Sequence, residues 1–435
     1  MSTATNAAAP AASLLERVER TAWRVPLPTR RFFVTLGLTA AIALAVSGVA
    51  AGWVVARNAN TIDDAREQGL DLATAVTEFH THLAAADARA ASTLISGGLE
   101  DPESRALYDA DLLAASNALT SAGLVATSDD RADISAMADG LLEYAGLVET
   151  ARANSRQGFP VGASYLGEAR DLANNELVPL AERQRRVGEQ RMAQAANSIG
   201  GPVSALAVVV LVAGFGVLVA CAALIAGRTR RVIAHPALLL ATLTMVAVVV
   251  LVFMGIASQG RELRQAATGD IDAYVAANEA SSRLSNLRVT EISAVAARGS
   301  GAALYEQFGT DADTLAAHVT EAPGDRQDLA QLYDAATAYT TAVVEQVQAA
   351  DERGDNRAAA DLALSISSDA EGTADAYQAA SAIAADNVDH EAADLAERFD
   401  AAGGADIPPL VPITLAGVAA LLAAAGTLAR GRRYR

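Results

Sequence analysis

Four stretches of this chain are apolar almost throughout, roughly Phe32–Ala56, Pro202–Ala226, Pro236–Ser258 and Pro408–Leu428. Each is long enough to cross about 30 Å of hydrocarbon as a helix. The two long segments between them have a different pattern. Leu70, Leu72, Val76, Phe79 and Leu83 recur at three-to-four spacing, which puts them on one face of a helix that needs a partner. β-Branched clusters are almost absent, and turn signals interrupt each segment at only three places. In the first these are Gly97–Pro102, Ser128–Asp130 and Gly158–Pro160, and in the second Arg298–Gly301, Pro323–Asp325 and Gly354–Asp355. The spacing predicts helices over 57–97, 102–127, 129–157 and 160–200, and again over 259–298, 302–321, 325–353 and 356–403. Asp130 and Asp325 are placed to cap helices, because a short carboxylate accepts from the free N–H groups of a first turn.

The two halves repeat each other weakly but in a constant order. Asp130-Arg131 with Ile134 and Tyr144 matches Asp325-Arg326 with Leu329 and Tyr339 at an offset of 195. Leu107-Tyr108-Asp109 resembles Leu304-Tyr305-Glu306, and Asp87 with Arg89 resembles Asn286 with Arg288. The expectation is an all-α membrane protein with four transmembrane helices and two extracytoplasmic four-helix-bundle sensor-like domains, made as a tandem parallel duplication.

Charge sets the orientation. All 33 basic residues are Arg, against 51 acids, for a net −18 over 435 residues. Twelve of those Arg flank the apolar stretches in three short tracts, with only Glu16 and Glu19 beside them, a local net of +10. The remaining 21 Arg and 49 acids give the long segments −28. The positive-inside rule therefore predicts cytoplasmic pieces at 1–31, 227–235 and 429–435, spans at 32–56, 202–226, 236–258 and 408–428, and extracytoplasmic domains at 57–200 and 259–407. The first span, at about 25 residues, reads as a retained anchor and not a cleaved signal. The cytoplasmic pieces are too short for a core of their own, so no output module is expected among them. The acidic balance argues against a nucleic-acid partner.

Candidate chemistry is sparse. No phosphate-binding loop, nucleophile elbow, zinc helix or paired-cysteine motif occurs, so neither an enzyme nor a cofactor is expected. Cys221 stands alone in an apolar run. His80 and His82 point about 200° apart on a helix, which disfavours a shared metal, and a solvated face is their simpler reading. His318 and His390 read as surface imidazoles. No span contains Asp, Glu, Lys, Arg or His, which disfavours an ion pathway. Gly48 and Gly52 form a GxxxG that admits a close helix neighbour, either within the chain or in a homodimer. Arg89 and Arg288, each on the first helix of its domain, are candidate carboxylate-binding residues, with an ordinary ion pair as the alternative. Arg228, Arg230 and Arg231 are candidates for contact with anionic membrane lipids or a cytoplasmic partner.

Four spans, two helical exterior domains of about 145 residues and a short basic inner loop resemble the GlnX family of actinobacterial membrane transducers. The resemblance covers nearly the whole chain and rests on architecture. It implies a relay in which an extracytoplasmic amino-acid-binding lipoprotein of the GlnH type senses glutamate, aspartate or glutamine. The transducer then carries the signal to a cytoplasmic serine/threonine kinase of the PknG type. A scaffold or accessory subunit of a membrane complex is the alternative, and direct ligand sensing by the bundles is a third reading.

Overall fold

The computed structural model describes residues 29–95, 102–157, 161–199, 201–229, 236–297, 299–324, 326–364, 372–404 and 408–432. Among them the chain is entirely helical apart from turns. The first half runs α1 (Thr29–Ala65), α2 (Leu72–Ile95), α3 (Pro102–Val125), α4 (Arg131–Arg156), α5 (Val161–Leu172), α6 (Val178–Ser198) and α7 (Pro202–Thr229). The second runs α8 (Pro236–Gln265), α9 (Ile271–Ala296), α10 (Ala302–Glu321), α11 (Arg326–Ala342), α12 (Ala349–Glu352), α13 (Asn356–Leu364), α14 (Thr373–Gly404) and α15 (Leu410–Arg432).

Four of these helices are long and apolar enough to span a bilayer, and they coincide with the four apolar stretches. The protein is a multi-pass membrane protein, and an even number of spans is consistent with both ends lying on the same side. The helices sort into two compact units. One holds Met1–Ile62, Asn197–Leu263 and Ala401–Arg435, the other Asp63–Ala196 and Arg264–Asp400.

In the apolar unit, Phe33, Ala40, Leu44 and Ala51 of α1 are buried, whereas Leu38, Ile42, Val46, Val49 and Trp53 are exposed. That division is the expected one for a span with one face on neighbouring helices and one on lipid. Leu211, Leu218 and Ile225 of α7, Met245, Val248 and Val252 of α8, and Ala419 and Ala423 of α15 complete this core.

In the polar unit, α2 packs on α3 and α4 on α5, while α9 packs on α10 and also along α2. Leu70, Leu72, Val76, Phe79 and Leu83 are all buried, as their spacing predicts. Both polar segments feed one core, in which Phe79, Tyr108, Met137 and Tyr144 are joined by Ile292, Val295, Val347 and Ala359. A second core is built from Leu284, Leu287, Phe308, Leu315, Tyr339 and Ala380.

Several local features differ from the sequence reading. α1 is joined to α2, and α8 to α9, by π-helical turns at Arg66–Asp71 and Ala266–Asp270. Further π-turns fall at Ala173–Leu177 and Val343–Gln348. The expected helix over 356–403 is two helices, α13 and α14, with 365–371 outside the described residues. Asp130 holds the cap position of α4, but its side chain caps nothing. Its carboxylate turns back to accept from the Thr127 N–H at 2.9 Å and from Arg191 Nη1 and Nη2, both at 2.9 Å. A guanidinium outcompetes the backbone for the same oxygens. Asp325 lies outside the described residues.

Candidate functional site

The polar unit buries two clusters of like composition, each with a tyrosine, a carboxylate and an arginine. In the first half, α2 supplies Asp87, α4 supplies Tyr144 and α5 supplies Arg170. Tyr144 Oη donates to Asp87 Oδ1 at 3.4 Å, and Arg170 Nε donates to Asp87 Oδ2 at 3.0 Å. Arg170 Nη1 reaches on to Ser293 Oγ of α9 at 3.1 Å, tying the two halves together. Burial, with the Asp87 carboxylate second, pushes the Tyr144 hydroxyl well above its ordinary range, so it stays a donor.

In the second half, α9 supplies both charges. Arg288 is 8% exposed and Glu291 is fully buried, with Arg288 Nη1 donating to Glu291 Oε2 at 2.6 Å. Tyr339 Oη donates to the same oxygen at 2.7 Å, and the Thr373 hydroxyl donates to the other. Arg288 Nη2 donates to the Ala363 carbonyl at 2.9 Å, in the last turn of α13, where carbonyls lack helical partners. Its guanidinium also faces the Tyr377 ring at 5.5 Å. Burial, then Glu291, drives the Tyr339 hydroxyl far up. One buried ion pair thus takes a group from each of α13 and α14, Ala363 from one and Thr373 from the other.

Arg89, which the sequence comparison aligns with Arg288, is half-buried at the boundary of α2 and α3, where its Nε donates to Asp111 Oδ2 at 2.7 Å. His82 Nδ1 lies 3.4 Å from the other oxygen of Asp111. The structure therefore does not bring Arg89 and Arg288 into equivalent surroundings. His80 is buried, not solvated. Its Nδ1 is 3.5 Å from Ser282 Oγ, and burial pushes its pKa down. His318 also faces inward, with Nε2 3.0 Å from the Ala276 carbonyl. In neither case does single-helix periodicity reveal the second helix that covers the imidazole.

In the apolar unit Gly48 and Gly52 of α1 face α15. A Cβ at Gly52 would stand 2.5 Å from Ile413 side-chain carbons and 2.8 Å from the Pro409 carbonyl oxygen, and one at Gly48 would meet Ala416. Ser47, beside them, donates to the Val210 carbonyl of α7 at 3.2 Å. Arg228 falls in the last turn of α7, and Arg230 and Arg231 lie outside the described residues. Among the described residues no three His, Cys, Asp or Glu side chains come together as a metal-holding group. The buried clusters pair each carboxylate with a guanidinium and present no activated nucleophile.

The described residues form an all-helical polar unit and an apolar unit with four helices long enough to span a bilayer, an architecture consistent with a sensor-type membrane protein. A family model described as an actinobacterial sensor domain matches residues 61–197, the stretch from the end of α1 through α6. No curated protein and no solved structure matches the chain. The architecture is consistent with a signal-transducing membrane protein.

Proposed function

We propose that this protein is a non-enzymatic transmembrane transducer of the GlnX type. Two tandem four-helix sensor-like bundles face outward and relay a glutamate, aspartate or glutamine signal. A GlnH-type binding lipoprotein delivers the signal, and a cytoplasmic serine/threonine kinase of the PknG type receives it. The tract Arg228, Arg230 and Arg231 serves on the inner face, against the kinase or anionic lipid. In this reading amino-acid recognition belongs to the lipoprotein, because Arg89 and Arg288 are already engaged by Asp111 and Glu291.

The observation that carries the reading is helical continuity. Residues 29–95 and 236–296 are each helical without a break, through α1, a π-turn and α2, and through α8, a π-turn and α9. A membrane helix that continues into the sensor unit transmits shifts of about 1–2 Å, a known switching mode, as long as the junction is stiff. Two glycines inserted after Ser258 would soften that junction and rotate the downstream helix by about 200°. The expected outcome is loss of amino-acid-dependent phosphorylation of a kinase substrate in cells, with membrane insertion retained. The same insertion after Ala12 is expected to leave the response intact. A normal response from the Ser258 variant would refute helix-coupled signalling and favour a scaffold.

A further inference from the structure

The first helices of the two polar segments meet along their lengths, at positions that the repeat makes nearly equivalent. Thr74 Oγ1 and Tyr274 Oη are 3.0 Å apart, and His80 Nδ1 and Ser282 Oγ are 3.5 Å apart. The numbers differ by 200 and 202, and the starts of α2 and α9, at Leu72 and Ile271, differ by 199. A nearly constant difference means that the helices run parallel and close to register. An antiparallel pair would instead hold the sum constant.

The pairing is not symmetric, and the asymmetry is complementary in size. By the offset of 199, Tyr274 corresponds to Ala75 and Thr74 to Ala273. The layer found here therefore holds one tyrosine, buried completely and hydrogen-bonded to a threonine. Two copies of α2 would put no tyrosine in that layer, and two copies of α9 would put two. One is underfilled and the other overfilled in an interior packed to crystal density. At the next layer His80 corresponds to Glu279 and Ser282 to Leu83. Two copies of α2 would bury two histidines there, and two copies of α9 would bring in two glutamates. Neither helix is a good partner for itself, and each fits the other.

We propose that α2 and α9 form an internal pseudo-dimer, in which the pairing surface of each half is filled by the other half of the same chain and not by a second copy. This rests on the tandem duplication proposed above. The two halves are then not interchangeable at this pairing surface.

Disulfide trapping of the full chain in native membranes tests this, in a Cys221→Ser background. One variant carries Thr74→Cys with Tyr274→Cys, and an independent one carries His80→Cys with Ser282→Cys. Each is oxidised and run on a non-reducing gel, and its peptides are sequenced by mass spectrometry. The expected result is a species of single-chain mass in which an α2 peptide is bonded to an α9 peptide, reversed by reductant and missing from the four single-cysteine controls. A species of twice the chain mass carrying that linkage would show that the partner is a second copy, and would overturn the proposal. Membrane-inserted protein that forms neither crosslink would overturn it too. The gel does not read signalling, so failure of the relay at the Ser258 junction and failure of the pairing are separate outcomes.

Discussion

Arg288 and Arg89 show how environment decides what one residue type contributes. Removing Arg288 strands a fully buried Glu291 carboxylate with only the Tyr339 and Thr373 hydroxyls for support, a situation that typically costs about 3–5 kcal/mol. Arg89 and Asp111 are partly solvated, so their pair is worth about 0–1 kcal/mol. Arg288→Ala is therefore expected to lower the thermal midpoint of the detergent-solubilised protein sharply, and Arg89→Ala to leave it nearly unchanged. Equal effects would mean that the two sites are equally buried. Asp130 adds a pH dependence. Burial alone would raise its carboxyl, but hydrogen bonds from Arg191 and Thr127 outweigh burial and hold it below the ordinary carboxylate range. A carboxyl depressed in the folded state stabilises at pH above its unfolded value of about 3.9, and the contribution disappears as pH falls through the folded value. The stability gap between the wild type and Asp130→Asn should be full at pH 6 and close below about pH 4. A gap that persists at lower pH would assign the effect to packing.

Among the helices, the glycines give the sharpest contrast. Gly188 of α6 lies against the π-turn before α2, and a Cβ there would stand 2.5 Å from the Gly69 carbonyl oxygen and 3.0 Å from Ala73 Cβ. Gly146 of α4 has open space around it. Replacing a helical glycine by alanine gains about 0.8–1 kcal/mol of propensity, while overpacking costs about 1–3 kcal/mol. Gly146→Ala should raise the thermal midpoint and Gly188→Ala should lower it, and the same sign for both would dismiss the close approach of α6. The limits of sequence reading also lie at this scale. Helix positions and the buried face of α2 were legible because apolar spacing and turn residues record them directly. The π-turns were not, since an extra residue within a turn leaves no composition signature. The contacts of Ala363 and Thr373 were hidden because their partners, Arg288 and Glu291, lie on α9, distant in sequence. Asp130 misled for a related reason: its true partner, Arg191, is 61 residues away.

For the whole molecule, the open variable is which side of the membrane the polar unit occupies, and charge supplies the argument. In the proposed topology both ends lie on one side, and the Arg-rich tracts share that side with the 227–235 loop. These tracts carry +10, against −28 for the long segments. Arginine in short loops beside a span resists translocation, while long acidic segments cross readily. The Arg residues beside the spans therefore make the inverted topology unfavourable. In the proposed orientation Ser128, exposed between α3 and α4, and Asp355, exposed between α12 and α13, are both outside, and Thr229 at the end of α7 is inside. Single cysteines at Ser128 and Asp355, in a Cys221→Ser background, should react with an impermeant maleimide added to intact cells. A cysteine at Thr229 should react only after the membrane is opened. Labelling of Thr229→Cys in intact cells, with Ser128→Cys and Asp355→Cys silent, would invert the protein. The Arg228 tract would then face away from any cytoplasmic kinase, and the relay would lose its direction. Labelling of only one of Ser128→Cys and Asp355→Cys would place the two polar segments on opposite sides, which is incompatible with the single core that Tyr144 and Ile292 share.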